Sequence, residues 1–74
     1  MTYTILGRPN CSFCTKAIDL LDEHGIEHEY INIYEMPFLI TLLKGSSLTT
    51  VPQIYDTNGL HIGGYTELKE QLND

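Results

Sequence analysis

The sequence predicts an α/β fold whose elements run β-α-β-α-β-β-α, forming a four-stranded mixed sheet flanked by helices. Three observations carry that expectation. Short runs rich in β-branched and aromatic residues alternate with stretches of helical period. A strand, a helix and a second strand fit within about 30 residues at the N-terminus, the size of a βαβ unit with parallel strands. Near the C-terminus, Asn58-Gly59 lies between two short apolar runs, the sign of an antiparallel hairpin.

The elements follow in order. Thr2 to Leu6 alternates loosely and reads as a strand, which Gly7, Pro9 and Asn10 end. From Ser12 to His24, Phe13, Ala17 and Leu20 recur alongside Cys14, Ile18 and Leu21, giving a helix with one wide apolar face. Asn10 is its expected cap and Gly25 its left-handed stop. His28 to Ile33 alternates as a second strand, with Tyr30 and Asn32 opposite Ile31 and Ile33. Met36 to Lys44 reads as a helix, with Pro37 in its first turn and Gly45 ending it. Strands over residues 51–56 and 60–62 flank the hairpin turn, and a last helix runs from Thr66 to Asn73 with Leu68 and Leu72 on one face.

Composition narrows the function. The 74 residues make one domain, 1–74, with a thin core, because a chain this short buries only about 60% of its unfolded surface. A 42% hydrophobic and 19% charged composition is globular, not disordered. Ten acidic residues against four basic ones leave a net charge of −6, which repels nucleic acid and anionic lipid. No apolar run approaches the ~20 residues of a membrane span, and the N-terminus has no secretory pattern. The expectation is a soluble, intracellular domain.

The cysteines carry the chemistry. Cys11 and Cys14 form a single C-x-x-C. A structural staple explains it poorly, since small secreted domains carry several spaced pairs and short loops gain least from closure. A redox dithiol and half of a metal site remain. His24 and His28 extend the pattern to Cys-x2-Cys-x9-His-x3-His, which resembles a zinc finger. In a finger, however, both histidines sit on the helix after the cysteines. Here the helix begins at the cysteines, Gly25 separates the histidines, and His24 falls roughly 15–20 Å from Cys11. Both histidines therefore read as solvated ends of elements. Cys11 at a helix mouth meets orphan amides and the positive end of the helix dipole, which favour its thiolate and make it nucleophilic at neutral pH. Cys14 lies one turn in, on the apolar face, as a resolving thiol should.

At this point the chain resembles the glutaredoxins, over its whole length and through three motifs. The first is Arg8-Pro9-Asn10-Cys11-Ser12-Phe13-Cys14-Thr15-Lys16-Ala17, similar to basic-x-x-Cys-Pro-Tyr-Cys-x-basic-Ala. The second is Thr49-Thr50-Val51-Pro52-Gln53-Ile54, and the third His61-Ile62-Gly63-Gly64 followed by Tyr65-Thr66-Glu67-Leu68. The resemblance implies a trimmed thioredoxin fold, with Cys11 as nucleophile toward glutathione mixed disulfides or protein disulfides and Cys14 as resolving thiol. Pro52 would be a cis-proline facing the dithiol, Thr50 and Val51 would line the substrate site, and Val51 would offer backbone groups to it. Gly63 and Gly64 would let ligand approach closely. The opening of the last helix at Thr66 and Glu67 would take glutathione's γ-glutamyl carboxylate. Arg8 would draw in a carboxylate, and Phe13 would be half core and half rim of the site. Lys16 reads as a partner of Asp19. Tyr3, Tyr30, Tyr34 and Tyr55 read as strand packing.

The implied activity is that of a dithiol glutaredoxin, a cytoplasmic monomer using glutathione and poised near about −200 to −230 mV. Its implied clients are disulfide-containing proteins, with ribonucleotide reductase among the candidates, and no metal is expected. Three departures keep alternatives open. Ser12 replaces the usual proline, and glutaredoxins with serine there include members holding a [2Fe–2S] cluster between two subunits through the first cysteine, here Cys11, and glutathione. Thr66-Glu67 replaces the common acidic pair. The helix from Met36 lacks the basic or amide side chains that meet glutathione's glycine carboxylate, and five large apolar residues in six (Phe38, Leu39, Ile40, Leu42 and Leu43) exceed what one inward face holds. Core packing accounts for about three of them. The surplus suits a docking surface, and with it a redoxin reduced by thioredoxin reductase.

Overall fold

The computed structural model describes residues 2–48 and 50–72. Thr49 of the second motif and Asn73, the expected end of the last helix, lie outside the described residues. The elements are β1 (Tyr3–Gly7), α1 (Ser12–Glu23), β2 (His28–Asn32), α2 (Pro37–Gly45), β3 (Gln53–Tyr55), β4 (His61–Gly63) and α3 (Tyr65–Gln71). The order matches the expectation. The sheet runs β2-β1-β3-β4, with β1 parallel to β2 and antiparallel to β3, and β3 antiparallel to β4. This is the trimmed thioredoxin architecture.

Alternation along β1 divides the core into two layers. Ile5 faces one side with its cross-strand partner Ile54, where Ala17, Leu20 and Leu21 of α1 and Leu68 of α3 close over them. Leu6 faces the other side with Ile33 and Leu43 of α2. Burying each such side chain stabilises the fold by roughly 1.5–3 kcal/mol. Of the five apolar residues in α2, Leu43 is buried and Leu39 and Ile40 pack against that cluster, while Phe38 and Leu42 are 62% and 58% exposed. The expected surplus is present.

Several boundaries differ from the sequence reading, each for a local reason. Ile33 leaves the strand for a 3₁₀ turn over Ile33–Glu35, because the Asn32 side chain caps it by accepting from Tyr34 N at 3.0 Å. Helix α2 includes Gly45, and the left-handed position after its Ser46 cap falls on Ser47, at φ 61°. Ser47 and Leu48 then donate back to the carbonyls of Lys44 and Leu43, a Schellman closure. Gly25 is the stop expected for α1, at φ 65°, with Gly25 and Ile26 donating to Asp22 and Leu21. Strand β3 starts only at Gln53, since Pro52 has no N–H to donate. The hairpin turn is longer than Asn58-Gly59: Asp56 Oδ1 accepts from Asn58 N at 2.8 Å and Leu60 N at 3.0 Å, and β4 begins at His61. No helix among the described residues is long and apolar enough to cross a membrane.

Candidate active site

The site is built where β1 hands over to α1. Asn10 is not the cap but the reversal before it, at φ 59°, a left-handed position that asparagine tolerates. The turn delivers Cys11 in an extended conformation to the N-cap itself. Its Sγ accepts from Cys14 N at 3.2 Å, and its carbonyl accepts from Thr15 N at 3.2 Å. A sulfur thus takes the place usually held by a serine or asparagine oxygen, and that amide favours its anionic form once reduced. Cys11 and Cys14 are joined as a disulfide, with Cα atoms 5.2 Å apart. Cys11 is half-buried, whereas Cys14 is 3% exposed. Only Cys11 offers access to a substrate.

Gly7, expected only to end the strand, also packs directly against the second cysteine. A Cβ there would lie 2.8 Å from Cys14 Sγ and 2.8 Å from the Tyr30 ring. Gly7 therefore keeps open the space into which the second sulfur packs. Tyr30 packs across the β1–β2 pair as expected, and it also lines a groove beside the cysteines with Arg8, Pro9, Asn10, Ser12, Thr15 and Ile18. The signal for Gly7 was its place directly before the cysteine motif, but strand breaking explained it equally well. Tyr30 gave no signal, because its contact with Gly7 depends on the parallel register of β1 and β2.

A second groove lies on the other side, lined by Phe13, Thr50, Val51, Pro52, Gly64, Tyr65, Thr66 and Glu67. It gathers the ligand-binding residues expected from the sequence, except Arg8 and Gly63, and adds Tyr65. Val51-Pro52 is cis, as expected, and the Val51 carbonyl oxygen is 3.8 Å from Cys11 Sγ. That approach becomes a hydrogen bond only when Cys11 is a thiol, because a disulfide sulfur has no proton to donate. Phe13 is exposed and packs on Tyr65, with ring centroids 6.1 Å apart. Lys16 Nζ sits 5.2 Å from the centre of the Phe13 ring, a cation–π arrangement, and makes no ion pair with the expected Asp19.

Arg8 stands apart from this set. It lines the first groove, and its guanidinium donates to the Pro9 carbonyl at 3.5 Å. Gly63 and Glu67 serve each other: Gly63 has φ 127°, and a Cβ there would lie 2.8 Å from Glu67 Cγ. The Glu67 carboxylate, so admitted, accepts from Gly64 N at 2.7 Å and caps α3. At Gly64 an added Cβ would meet only ordinary contacts, the nearest at 3.4 Å. His28 is engaged at both ring nitrogens, Nδ1 at 2.9 Å from the Ile26 carbonyl and Nε2 at 3.5 Å from Asp22. Among the described residues, no group of three or more His, Cys, Asp or Glu is placed to hold a metal ion.

Comparison with known proteins agrees with this geometry. The Glutaredoxin family model matches residues 1–62. Glutaredoxin 1 of Salmonella typhimurium is 34% identical over 85 residues, covering 99% of this chain and 97% of that protein. The hybrid peroxiredoxin hyPrx5 of Haemophilus influenzae is 36% identical over 67 residues, covering 90% of this chain, which spans only 27% of that longer protein. Among solved structures, a buckwheat glutaredoxin–glutathione complex superposes with a TM-score of 0.81 over 97% of this chain and 68% of that one, at 24% identity. With a cysteine pair held for thiol–disulfide exchange on a thioredoxin fold, the chain belongs to the glutaredoxin family of thiol–disulfide oxidoreductases.

Proposed function

We propose that this chain is a glutathione-dependent dithiol glutaredoxin that reduces protein disulfides and glutathione mixed disulfides. The observation that carries the reading is the groove from Thr50–Pro52 to Thr66–Glu67, set against the accessible member of the cysteine pair. In the reduced protein, the Cys11 thiolate attacks one sulfur of a client disulfide and expels the other client sulfur as a thiolate. Cys14, held against Gly7, then attacks Cys11 Sγ, releases the second client thiolate and closes the Cys11–Cys14 disulfide. Two electrons have passed to the client. One glutathione thiolate reopens the disulfide at Cys11, returning Cys14 as a thiol. A second attacks the glutathione sulfur, leaving oxidised glutathione and a Cys11 thiolate.

The groove residues orient glutathione for this cycle. Phe13 and Tyr65 form one rim, Thr50, Val51 and Pro52 the edge on the Cys11 side, and the opening of α3 from Gly64 to Thr66 and Glu67 the end suited to a carboxylate. Arg8, in the other groove, would draw in a carboxylate. By family analogy the chain acts as a cytoplasmic monomer, as one domain over 1–74, with ribonucleotide reductase among its clients. A bridging [2Fe–2S] cluster would draw on Cys11, the accessible sulfur, together with glutathione and a second copy.

A second reading, reduction by thioredoxin reductase, is favoured by the exposed Phe38 and Leu42 on α2. The deciding experiment follows NADPH oxidation with a glutathionylated small disulfide, supplied first with glutathione and glutathione reductase and then with thioredoxin reductase alone. Rapid turnover in the first arm is expected. Turnover confined to the second would replace the glutathione reading with the redoxin one.

A further inference from the structure

The loop Thr50-Val51-Pro52 brings the Val51 carbonyl to 3.8 Å from Cys11 Sγ, yet it lies outside the strand ladder, which begins at Gln53. Gln53 is the one buried polar side chain among the described residues, 5% exposed. Its Nε2 donates to the Thr50 carbonyl at 2.7 Å and lies 3.4 Å from Thr50 Oγ1. A carbonyl oxygen only accepts, so the Gln53 atom facing it is the amide nitrogen, and Oε1 must face away. Oε1 lies 2.6 Å from His61 Nε2 on β4. The ring nitrogen there must therefore carry its proton and donate. His61 is itself held by the register that pairs it with Tyr55, whose ring centroid is 5.1 Å away. The order His61 Nε2–H to Gln53 Oε1, then Gln53 Nε2–H to Thr50 O, leaves no buried side-chain polar atom unsatisfied among the described residues.

We infer that His61 and Gln53 are positioning residues for the active-site loop: through the Thr50 carbonyl they hold the Val51 edge against which a disulfide substrate aligns at Cys11. Neither touches the reacting sulfurs. The inference rests on the reading of Thr50–Pro52 as the substrate edge, and it requires the two links to act in series. Losing the His61 donor frees Gln53 to turn, and the loop loosens although Thr50, Val51 and Pro52 are unchanged.

The test uses His61→Phe, which keeps a ring beside Tyr55 but removes the donor, and His61→Gln, whose amide nitrogen reaches a position close to that of Nε2. Gln53→Leu removes both links. One neutral hydrogen bond is worth about 0.5–1.5 kcal/mol, so KM for a mixed-disulfide substrate should rise roughly 2- to 13-fold in His61→Phe. The value for kcat and the alkylation rate of reduced Cys11 by iodoacetamide should stay within about twofold, and His61→Gln should restore KM. Independently of activity, the Gln53 side-chain amide pair in ¹⁵N-correlated NMR spectra should shift in His61→Phe and return in His61→Gln. An unchanged KM and amide pair in a folded His61→Phe would overturn the inference. So would a fall in kcat, Cys11 alkylation and thermal stability together, which marks a general structural role. If the wild type turns over no glutathione substrate, the glutathione reading fails while the amide pair still decides the network. Gln53→Leu should show the larger KM effect; if it does not fold, the His61 pair carries the test alone.

Discussion

Cys11 and Cys14 are one helical turn apart, but access to them differs, and the proposed division of chemistry follows that difference. Cys11 lies between two grooves, while Cys14 is sealed against Gly7. Replacing Cys11 with serine should abolish all thiol–disulfide activity. Cys14→Ser should keep removal of glutathione from a small mixed disulfide, which needs only one sulfur, while losing reduction of protein disulfides, which needs two. Coupled assays with both substrate types check this, and full activity in either variant on both substrates would refute the assignment. The glycines after β4 separate just as sharply. Gly63→Ala meets both a left-handed backbone and the Glu67 side chain, and should cost about 1–3 kcal/mol in urea unfolding. At Gly64, where φ is −98° and an added Cβ has room, alanine should change stability by under about 1 kcal/mol. An equal loss at the two positions would mean that the pair is constrained by something other than Glu67.

Single elements show most clearly what the sequence disclosed. The two periodicities placed every strand and helix, because apolar spacing responds directly to which face is buried. Ends were harder. Asn10 and Gly45 are the residue types that normally cap and stop a helix, yet Cys11 caps α1 and Ser47 takes the left-handed turn after α2. In both places tertiary demands override preference: Cys11 must sit at the N-cap to meet Cys14 N, and α2 must continue so that Leu43 fills the cluster with Leu6 and Ile33. The second case can be tested. Ser47 adopts φ 61°, a conformation that costs an L-residue roughly 1–2 kcal/mol and glycine almost nothing. Ser47→Gly should therefore stabilise the protein by about 0.5–1 kcal/mol after allowing for glycine's greater unfolded-state entropy, read as a higher urea midpoint with an unchanged slope. A lower midpoint would show that the serine hydroxyl makes a compensating bond.

Across the whole molecule, the site depends on how the two core layers divide their work. The grouping of Phe13, Thr50–Pro52 and Gly64–Glu67 along one groove was legible because these residues fall in three sequence motifs. The contacts behind it were not: Gly7 meets Cys14 through the packing of α1 on β1, Gln53 reaches Thr50 through the local turn before β3, and His61 meets Gln53 through the pairing of β3 with β4. The larger layer ties α3 to the sheet through Leu68, which is 0% exposed and packs in a cluster with Ile5 and Ile54. Helix α3 in turn supplies Tyr65, Thr66 and Glu67 to the groove. Leu68→Ala should cost about 2–5 kcal/mol, a large share of the roughly 5–15 kcal/mol that holds a small domain together. At about 4–8 °C per kcal/mol for a chain of this size, its thermal midpoint should fall by at least roughly 8 °C. Replacing the exposed Phe38 and Leu42 with serine should shift the midpoint far less, because neither is part of a buried cluster. If that double variant melted as early as Leu68→Ala, the outer face of α2 would be contributing to the fold itself, and the surplus of apolar residues there would need no partner to explain it. If instead it melts near the wild type and retains glutathione-coupled turnover, while turnover with thioredoxin reductase falls, the face contributes to recognition and the groove to chemistry.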